Sequence, residues 1–424
     1  MGIISTLISF ILFLICCVST KDRIKNPLVF YFALWTMILG FSSMHLYGMI
    51  IPSDKTYCII NTMNICFFLG GLVKMPRKKA KILSKQEIEC NERWFFILLI
   101  ISIVFKSFGF FSALQSIASG AQWWQIRQSQ YILYGTDPSS NSLMWEVIEN
   151  VVVNPFATLL IPISAYLIFR APNKRITRIA NCFTILFTIM DTVSGGGGRL
   201  GYIYLIGCYI YSFLFLHDRQ KIKNIYKKYK RKIKKILFVS LTVLVFVTIF
   251  RVGVNNVFRQ IYTYFGMTPA LLDVNLAGME YAERTFGLLT LFGFHSYIFR
   301  FFSMIGIQWI VPEAYERAYQ YLLSGNTFKQ VGFGTANAFV SPAYYFYLDG
   351  GIIFVIFASF IFGVIVSNAY YSIRKNLNIK TFCIYSLIMN AVFLTFIRIQ
   401  TVIPSFVISI FLVLILVNKR KKLK

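Results

Sequence analysis

The sequence predicts an all-α polytopic membrane protein with about 11 transmembrane helices and one large extracytoplasmic loop that carries short helices. Two observations predict this fold class. Of the 424 residues, 57% are hydrophobic and only 14% are charged, which is more apolar surface than a soluble domain of this size can bury. The apolar residues also lie in runs long enough to cross a hydrocarbon core of about 30 Å. Lipid is therefore the expected solvent for most of the chain.

The apolar runs define the predicted spans. The first run starts directly after Met1, without a basic segment or a small-residue cleavage site, so we interpret it as an uncleaved span. The predicted spans cover residues 2–20, 28–50, 57–75, 94–114, 146–169, 179–195, 200–216, 236–252, 351–371, 381–397 and 403–417.

The positive charges alternate with these spans. The segments that follow every second span, beginning with the first, hold 32 of the 43 Lys and Arg residues. By the positive-inside rule these segments are cytoplasmic, which places the N-terminus outside and the C-terminus in the cytoplasm. The formal net charge of +27 is then mainly a signal of topology, and no nucleic-acid partner is predicted.

The whole chain, residues 1–424, is predicted to form a single integral membrane domain with two outer loops. The smaller loop covers residues 115–145 and the larger covers residues 253–350. A further apolar run at 288–311 would move two basic segments outside if it crossed the membrane. We therefore place this run on the outer face as a membrane-associated segment.

The remaining basic residues suggest a binding site for phosphate. Of the 11 Lys and Arg residues outside the cytoplasmic segments, one, Lys106, lies inside a span. Eight of the other ten are Arg, whereas only 10 of the 32 cytoplasmic Lys and Arg residues are Arg. Topology needs only charge, but a guanidinium offers a planar fork of donors that fits phosphate and pyrophosphate. The alternative is that outer acids pair with these arginines, and both readings stay open for Arg317 and for Arg284, which stands four residues after Glu280. The predicted pyrophosphate-binding residues are Arg199, Arg251, Arg300, Arg259, Arg284 and Arg127.

The stretch VSGGGGRLGY, residues 193–202, is the most unusual turn in the chain. Four glycines, Gly195, Gly196, Gly197 and Gly198, exceed what a hairpin between two spans requires. Glycine lets the backbone approach a ligand closely, with N–H groups free to bind an anion. Arg199 then stands near a helix N-terminus, and Asp191 is a candidate to orient it. The alternative is a flexible turn whose arginine reaches the lipid headgroups.

Candidate catalytic groups lie in the large outer loop. His295 is suited to take a proton near neutral pH, although a lone histidine in an aromatic run is often structural. Glu283 is a competing base. Asp349 is a third candidate, and its position before a span also suits a helix cap. The outer aromatic residues Tyr345, Tyr347 and Trp124 are predicted to bind glycan, unless they form an ordinary interface belt.

The chain as a whole resembles the Wzy-type polymerases of O-antigen and capsule repeat units. Its layout, with one dominant outer loop before the last spans, is similar to that family, as is the glycine-rich turn that ends in Arg199. The segment TANAFVSPAYYFYLDGGIIF, residues 335–354, resembles the family's run into a span. His295-Ser296 followed by Gly306 is also similar to the histidine motif of the related O-antigen ligases. The residues that fill the family's run into a span are Asn337, Phe339, Pro342, Tyr347, Asp349 and Gly350.

The resemblance implies an activity and a location. Such enzymes transfer a growing glycan from undecaprenyl pyrophosphate to a fresh lipid-linked repeat unit, on the outer face of the bacterial cytoplasmic (inner) membrane. The implied partners are the undecaprenyl-pyrophosphate-linked oligosaccharide, the lipid bilayer, and a chain-length regulator or other polysaccharide-assembly proteins. No cofactor and no metal are implied. An O-antigen-ligase-like glycosyltransferase and a polysaccharide flippase or transporter stay open as alternatives.

Overall fold

The computed structural model describes residues 1–20, 22–73, 88–121, 143–195, 198, 200–217, 242, 257–279, 282–332, 334–417 and 419–420. Most of these residues are helical, in agreement with the predicted all-α class. The helices are α1 (Gly2–Ser19), α2 (Pro27–Ser43), α3 (Asp54–Leu72), α4 (Glu92–Ala118), α5 (Leu143–Ile148), α6 (Asn154–Arg170), α7 (Arg175–Ser194), α8 (Leu200–Leu216), α9 (Val257–Leu276), α10 (Phe292–Met304), α11 (Glu313–Asn326), α12 (Ser341–Lys375), α13 (Ile379–Phe393) and α14 (Pro404–Leu416). The strands are β1 (Ile88–Glu89), β2 (Lys329–Gln330), β3 (Thr335–Ala336) and β4 (Lys419–Arg420), and they pair antiparallel as β1 with β4 and β2 with β3.

The helices indicate a membrane protein. Among the described residues, six helical segments are long and apolar enough to cross a membrane, and α2, α8 and α14 are shorter apolar helices. The predicted span 236–252 lies outside the described residues. The six segments are Gly2–Ser19, Glu92–Ala118, Glu149–Arg170, Arg175–Ser194, Ser341–Lys375 and Ile379–Phe396.

Helix α3 overlaps the predicted span 57–75 but is less apolar than the others, because it carries asparagines. These side chains are buried and bonded to neighbouring helices. The hydroxyl of Tyr31 donates to Oδ1 of Asn64 at 2.8 Å, and Nδ2 of Asn61 donates to Oγ of Ser5 at 2.9 Å. Polar groups in hydrocarbon need internal partners, and α1 and α2 supply them here. Helix α3 also packs against α9 and α12.

Two buried cores organise the described helices. One core lies among α1, α2, α3, α9 and the first half of α12. The other lies among α4, α6, α7, α13 and α14. The largest helix contact joins α3 to α12, where glycines let two backbones approach closely.

Segments that the charge pattern places on one side of the membrane contact one another. At one end, Arg374 pairs with Asp22 at 3.4 Å, and β1 pairs with β4. At the other end, the N–H of Ile50 donates to the carbonyl of Val331 at 3.2 Å. The predicted alternation requires this grouping, and the count of 11 spans and their sidedness stay predictions.

The large outer loop contains a longer helix than the short helices that the sequence predicts there. Helix α9 has 20 residues, because its apolar side chains pack against α2 in the first core. The apolar run 288–311 contains α10, which has 13 residues, too few to cross a membrane. The exposed side chains there include Phe301 at 58% and Trp309 at 86%, which suits the predicted position on a membrane surface.

The crossing of α3 and α12 generates a testable prediction. A Cβ on Gly363 would lie 2.2 Å from the carbonyl oxygen of Phe67. Gly363→Ala should therefore force the helices apart and lower the stability by about 1–3 kcal/mol. Gly109→Ala in α4 is the matched control, since no atom lies within 4 Å of its added Cβ. Thermal unfolding of the purified proteins in detergent checks this, and equal midpoints for Gly363→Ala and the wild type would contradict the close crossing.

Candidate functional site

The buried carboxylate of Asp349 joins the large outer loop to α12. Asp349 is fully buried, although an isolated charge is costly in an apolar core. Four donors from one short segment surround it. Its Oδ1 accepts hydrogen bonds from Oγ1 of Thr285 at 2.5 Å, from the N–H of Gly287 at 2.9 Å and from the N–H of Leu289 at 3.1 Å, and its Oδ2 accepts from the N–H of Thr290 at 2.8 Å.

This geometry gives Asp349 a positioning role. The carboxylate caps the turn at 285–290, which leads into α10. It does not cap α12, the helix to which Asp349 belongs. Its oxygens already hold four hydrogen bonds and are shielded from solvent, so they are poorly placed to take a proton from a substrate. Asp349 was a candidate for catalysis or for capping, and the geometry favours capping.

A kink in α12 follows Asp349 directly. Gly351 has a φ of 65°, a value that glycine adopts readily and other residues rarely. Two carbonyl groups just before the kink accept hydrogen bonds from the outer loop. The N–H of Thr285 donates to the carbonyl of Leu348 at 3.4 Å, and the N–H of Phe286 donates to that of Asp349 at 3.0 Å. The residues just before Thr285 are thereby held against the first half of α12.

Arg284 and Lys55 meet on the ring of Tyr347, and we call these three residues the Tyr347 cluster. The Nη1 of Arg284 donates to the carbonyl oxygen of Tyr347 at 2.8 Å, and its guanidinium carbon lies 5.2 Å from the ring centroid. The Nζ of Lys55 lies 5.7 Å from the same centroid. Cation–π contact stabilises each charge. Among the described residues, no carboxylate forms an ion pair with Arg284, so its charge is available to an anion.

Lys55 is the member of this cluster that we did not select from the sequence. It stands in the first turn of α3, which Ser53 caps by accepting the N–H of Thr56 at 3.3 Å. Asp273 in α9 fixes that turn, because it accepts the N–H of Ser53 at 3.1 Å and the hydroxyl of Thr56 at 2.6 Å. The sequence did not predict Lys55 as a site residue for two reasons. The phosphate argument favoured guanidinium groups, and the contact between Lys55 and Tyr347 joins segments that are far apart in sequence.

Glu283 lies beside Arg284 and is the most accessible of the predicted bases. Its side chain is 70% exposed and pairs with Arg317 at 2.8 Å, and Arg317 also lies 3.6 Å from Glu313. Arg317 therefore pairs with two acids, which is one of the two readings that the sequence left open for it. Residues 282–285 are not helical, so Arg284 is not part of a helical pair with Glu280, which lies outside the described residues.

His295 is enclosed by aromatic rings. Its Nε2 lies 2.9 Å from the carbonyl oxygen of Leu288, so this nitrogen carries the proton of the neutral ring. Its Nδ1 is buried and has no hydrogen-bond partner among the described residues. The ring centroids of Phe299 and Tyr315 lie 5.2 Å and 5.7 Å away. Burial lowers the pKa of His295, and the Leu288 carbonyl and the charge of Asp349 offset part of that effect.

The remaining predicted site residues lie on other elements or outside the described residues. Tyr345 is fully buried and offers no face to a sugar ring, whereas Tyr347 is half-buried. Arg259 lies in the first turn of α9, and Arg300 lies in α10. Gly195 follows the end of α7, and the carbonyl of Gly198 accepts a hydrogen bond from Thr192 at 3.3 Å. Outside the described residues lie Arg199, Arg251, Arg127, Trp124, Gly196 and Gly197.

A second polar cluster lies in the other core. Lys106 in α4 is only 10% exposed, forms an ion pair with Asp191, and donates to Oδ1 of Asn154 at 3.0 Å. The π-helical turn Glu149–Val153 directly precedes Asn154. Asp191 was a candidate to orient Arg199, and in the described residues it pairs with Lys106. A buried lysine in a membrane helix needs such a partner.

Comparisons with protein-family models, with curated proteins and with solved structures give no match. The resemblance to Wzy-type polymerases therefore stays a prediction from the sequence motifs. The function has to be inferred from the chemistry of the residues themselves.

The role of Asp349 can be tested by Asp349→Asn. The amide replaces one acceptor oxygen by a donor, which leaves a buried N–H unpaired and should lower the stability by about 1–3 kcal/mol. Glu283→Gln is the control, because an exposed side chain should change the stability by less than about 0.5 kcal/mol. Thermal unfolding checks both variants. An Asp349→Asn protein that is as stable as the wild type but inactive would instead identify a catalytic carboxylate.

The enclosed ring of His295 predicts a dependence of stability on pH. Its pKa is lowered by burial in the folded protein, so the unfolded chain binds the proton more readily below a pH of about 6.5. The stability that the neutral ring contributes is thus present above that pH and is lost as the pH falls. We expect His295→Gln to flatten the decline of the unfolding midpoint between about pH 6.5 and pH 5. An identical decline in both proteins would contradict this assignment.

Proposed function

We propose that the protein is a glycosyltransferase that polymerises lipid-linked oligosaccharide repeat units. It transfers the growing glycan from undecaprenyl pyrophosphate to a new undecaprenyl-pyrophosphate-linked repeat, on the outer face of a bacterial cytoplasmic membrane. The observation that carries this proposal is the Tyr347 cluster, in which the guanidinium of Arg284 and the ammonium of Lys55 lie 5.2 Å and 5.7 Å from the centroid of one tyrosine ring. Tyr347 and Asp349 belong to the segment that resembles the Wzy-type family, and the membrane helices suit a lipid-linked substrate.

The leaving group explains why two cations would be needed. Arg284 and Lys55 bind the pyrophosphate of the donor lipid, and its negative charge rises as the bond to the sugar breaks. A guanidinium and an ammonium supply complementary donors, a planar fork and a compact point charge. The Tyr347 carbonyl holds Arg284 through one nitrogen, so the rest of the guanidinium remains available to the diphosphate.

Glu283 is the base that this geometry favours. The acceptor hydroxyl gives its proton to the Glu283 carboxylate while its oxygen forms a bond to the anomeric carbon of the donor sugar. The bond from that carbon to the pyrophosphate oxygen breaks, and undecaprenyl pyrophosphate leaves with the electron pair. Arg317 orients the carboxylate at 2.8 Å. His295 suits this role less well, because Phe299 and Tyr315 enclose its free nitrogen.

The two alternatives differ in the product that accumulates. A ligase-like enzyme would transfer finished polymer to another acceptor, and the motif around His295 favours it. A flippase would move lipid-linked units across the membrane, and the buried pair of Lys106 and Asp191 is the feature that favours it. Loss of a polymerase leaves single repeat units, loss of a ligase leaves polymer on the carrier, and loss of a flippase traps units on the cytoplasmic side.

The topology belongs to the same proposal. We propose 11 spans with the N-terminus outside and the C-terminus in the cytoplasm, which puts the Tyr347 cluster on the outer face. The contacts at each end of the molecule support this arrangement, since outer segments touch outer segments and basic segments touch basic segments.

The role of Arg284 can be tested by Arg284→Lys in a strain that lacks the chromosomal gene. Lysine keeps the charge but loses the fork of donors, so transfer should fall about tenfold to a hundredfold. The matched control is Arg374→Lys at the other end of α12, where the guanidinium carbon also lies over a tyrosine ring, Tyr370, at 5.6 Å. Gel analysis of the glycan, with protein abundance measured in parallel, reads the result. Polymer of normal length from an abundant Arg284→Lys protein would contradict the proposal.

A further inference from the structure

An apolar groove lies between α2, α8 and α13. Its volume is about 420 Å³, which is within the range of about 300–1,000 Å³ for ligand pockets. Apolar side chains form most of its walls, among them Phe30, Ile203, Met389 and Phe393. The groove has the size and the surface of a site for a hydrocarbon chain.

The surroundings of the groove favour hydrocarbon rather than water. All three helices are apolar, and Ile203 and Ile210 at its wall are 38% and 50% exposed. Side chains of this kind face lipid in a membrane helix. The stretch of α8 from Ile203 to Tyr211 gives the groove a length of about 12 Å along the helix. Gly207 leaves space in the wall, since no atom lies within 4 Å of an added Cβ.

One end of the groove is positively charged. Arg23 lines this end and is exposed, and its Nε donates to the carbonyl of Cys17 at 2.8 Å. The adjacent acid, Asp22, pairs instead with Arg374 at 3.4 Å. A guanidinium held in this way fits a phosphate group at the mouth of an apolar groove.

We propose that this groove binds an anionic phospholipid of the bilayer, with one acyl chain beside Gly207 and the phosphate on Arg23. Arg374 pairs with Asp22, the neighbour of Arg23. At 1.5 Å per residue, Arg374 lies about 40 Å along α12 from Tyr347. The lipid site is therefore distinct from the proposed transferase site and does not depend on the proposed function. In the predicted topology it faces the cytoplasmic leaflet, where anionic lipids attract basic residues.

The experiment uses the full chain in nanodiscs and a phosphatidylglycerol that carries a photoactivatable diazirine in its acyl chain. We expect crosslinks on the groove walls of α8 and α13. Gly207→Leu fills the groove and should reduce this labelling to background. Gly109→Leu is the matched control, because its Cβ also meets no atom within 4 Å, and it should label as the wild type does. Undiminished labelling of Gly207→Leu would overturn the proposal.

The headgroup is tested separately with phosphatidylcholine that carries the same diazirine. The wild type should label more strongly with phosphatidylglycerol, and Arg23→Gln should reduce this preference about fivefold, as expected for one basic residue at a membrane surface. Equal labelling by the two lipids in the wild type would show ordinary annular lipid and overturn the proposal. Displacement of the label by undecaprenyl phosphate more readily than by unlabelled phosphatidylglycerol would show a polyprenyl site instead, and would also overturn it.

Discussion

The carboxylate of Asp349 is the constraint on which the candidate site depends. A buried carboxylate must be fully hydrogen-bonded, and here the turn at 285–290 supplies the four donors found among the described residues. The turn is thereby fixed to α12 at its kink, and Arg284 immediately before it is brought onto the carbonyl and ring of Tyr347. The Asp349 carboxylate, which has only neutral described partners, thus determines the position of the Arg284 guanidinium.

Three charged groups show three ways in which this protein places charge in apolar surroundings. Asp349 is satisfied by neutral donors and is closed to other partners. Lys106 is balanced by Asp191, so its charge is largely used within the protein. Arg284 has a carbonyl and an aromatic ring but no described carboxylate, so it keeps most of its capacity to bind an anion. This difference is the reason that we place the phosphate at the Tyr347 cluster.

The sequence predicted the all-α class because length and hydropathy are local properties, and most described helices overlap a predicted span. It also selected Arg284, Glu283 and Tyr347, since outer arginines, acids and aromatics are visible without a structure. The partners of these residues could not be predicted. Lys55 reaches Tyr347 only through the packing of α3 on α12, and the choice between catalysis and capping for Asp349 depends on donors about 60 residues earlier in the chain.

The most direct measurement is the binding of farnesyl pyrophosphate and farnesyl monophosphate, as short analogues of the lipid carrier, to the purified chain and to Lys55→Gln, Arg284→Gln and the double variant. The account predicts that the wild type prefers the diphosphate, that each single variant weakens this preference, and that the double variant loses it. The two losses should be non-additive, because both cations would contact one diphosphate. Wild-type affinity and preference in the double variant would contradict the central claim that these two cations bind the pyrophosphate.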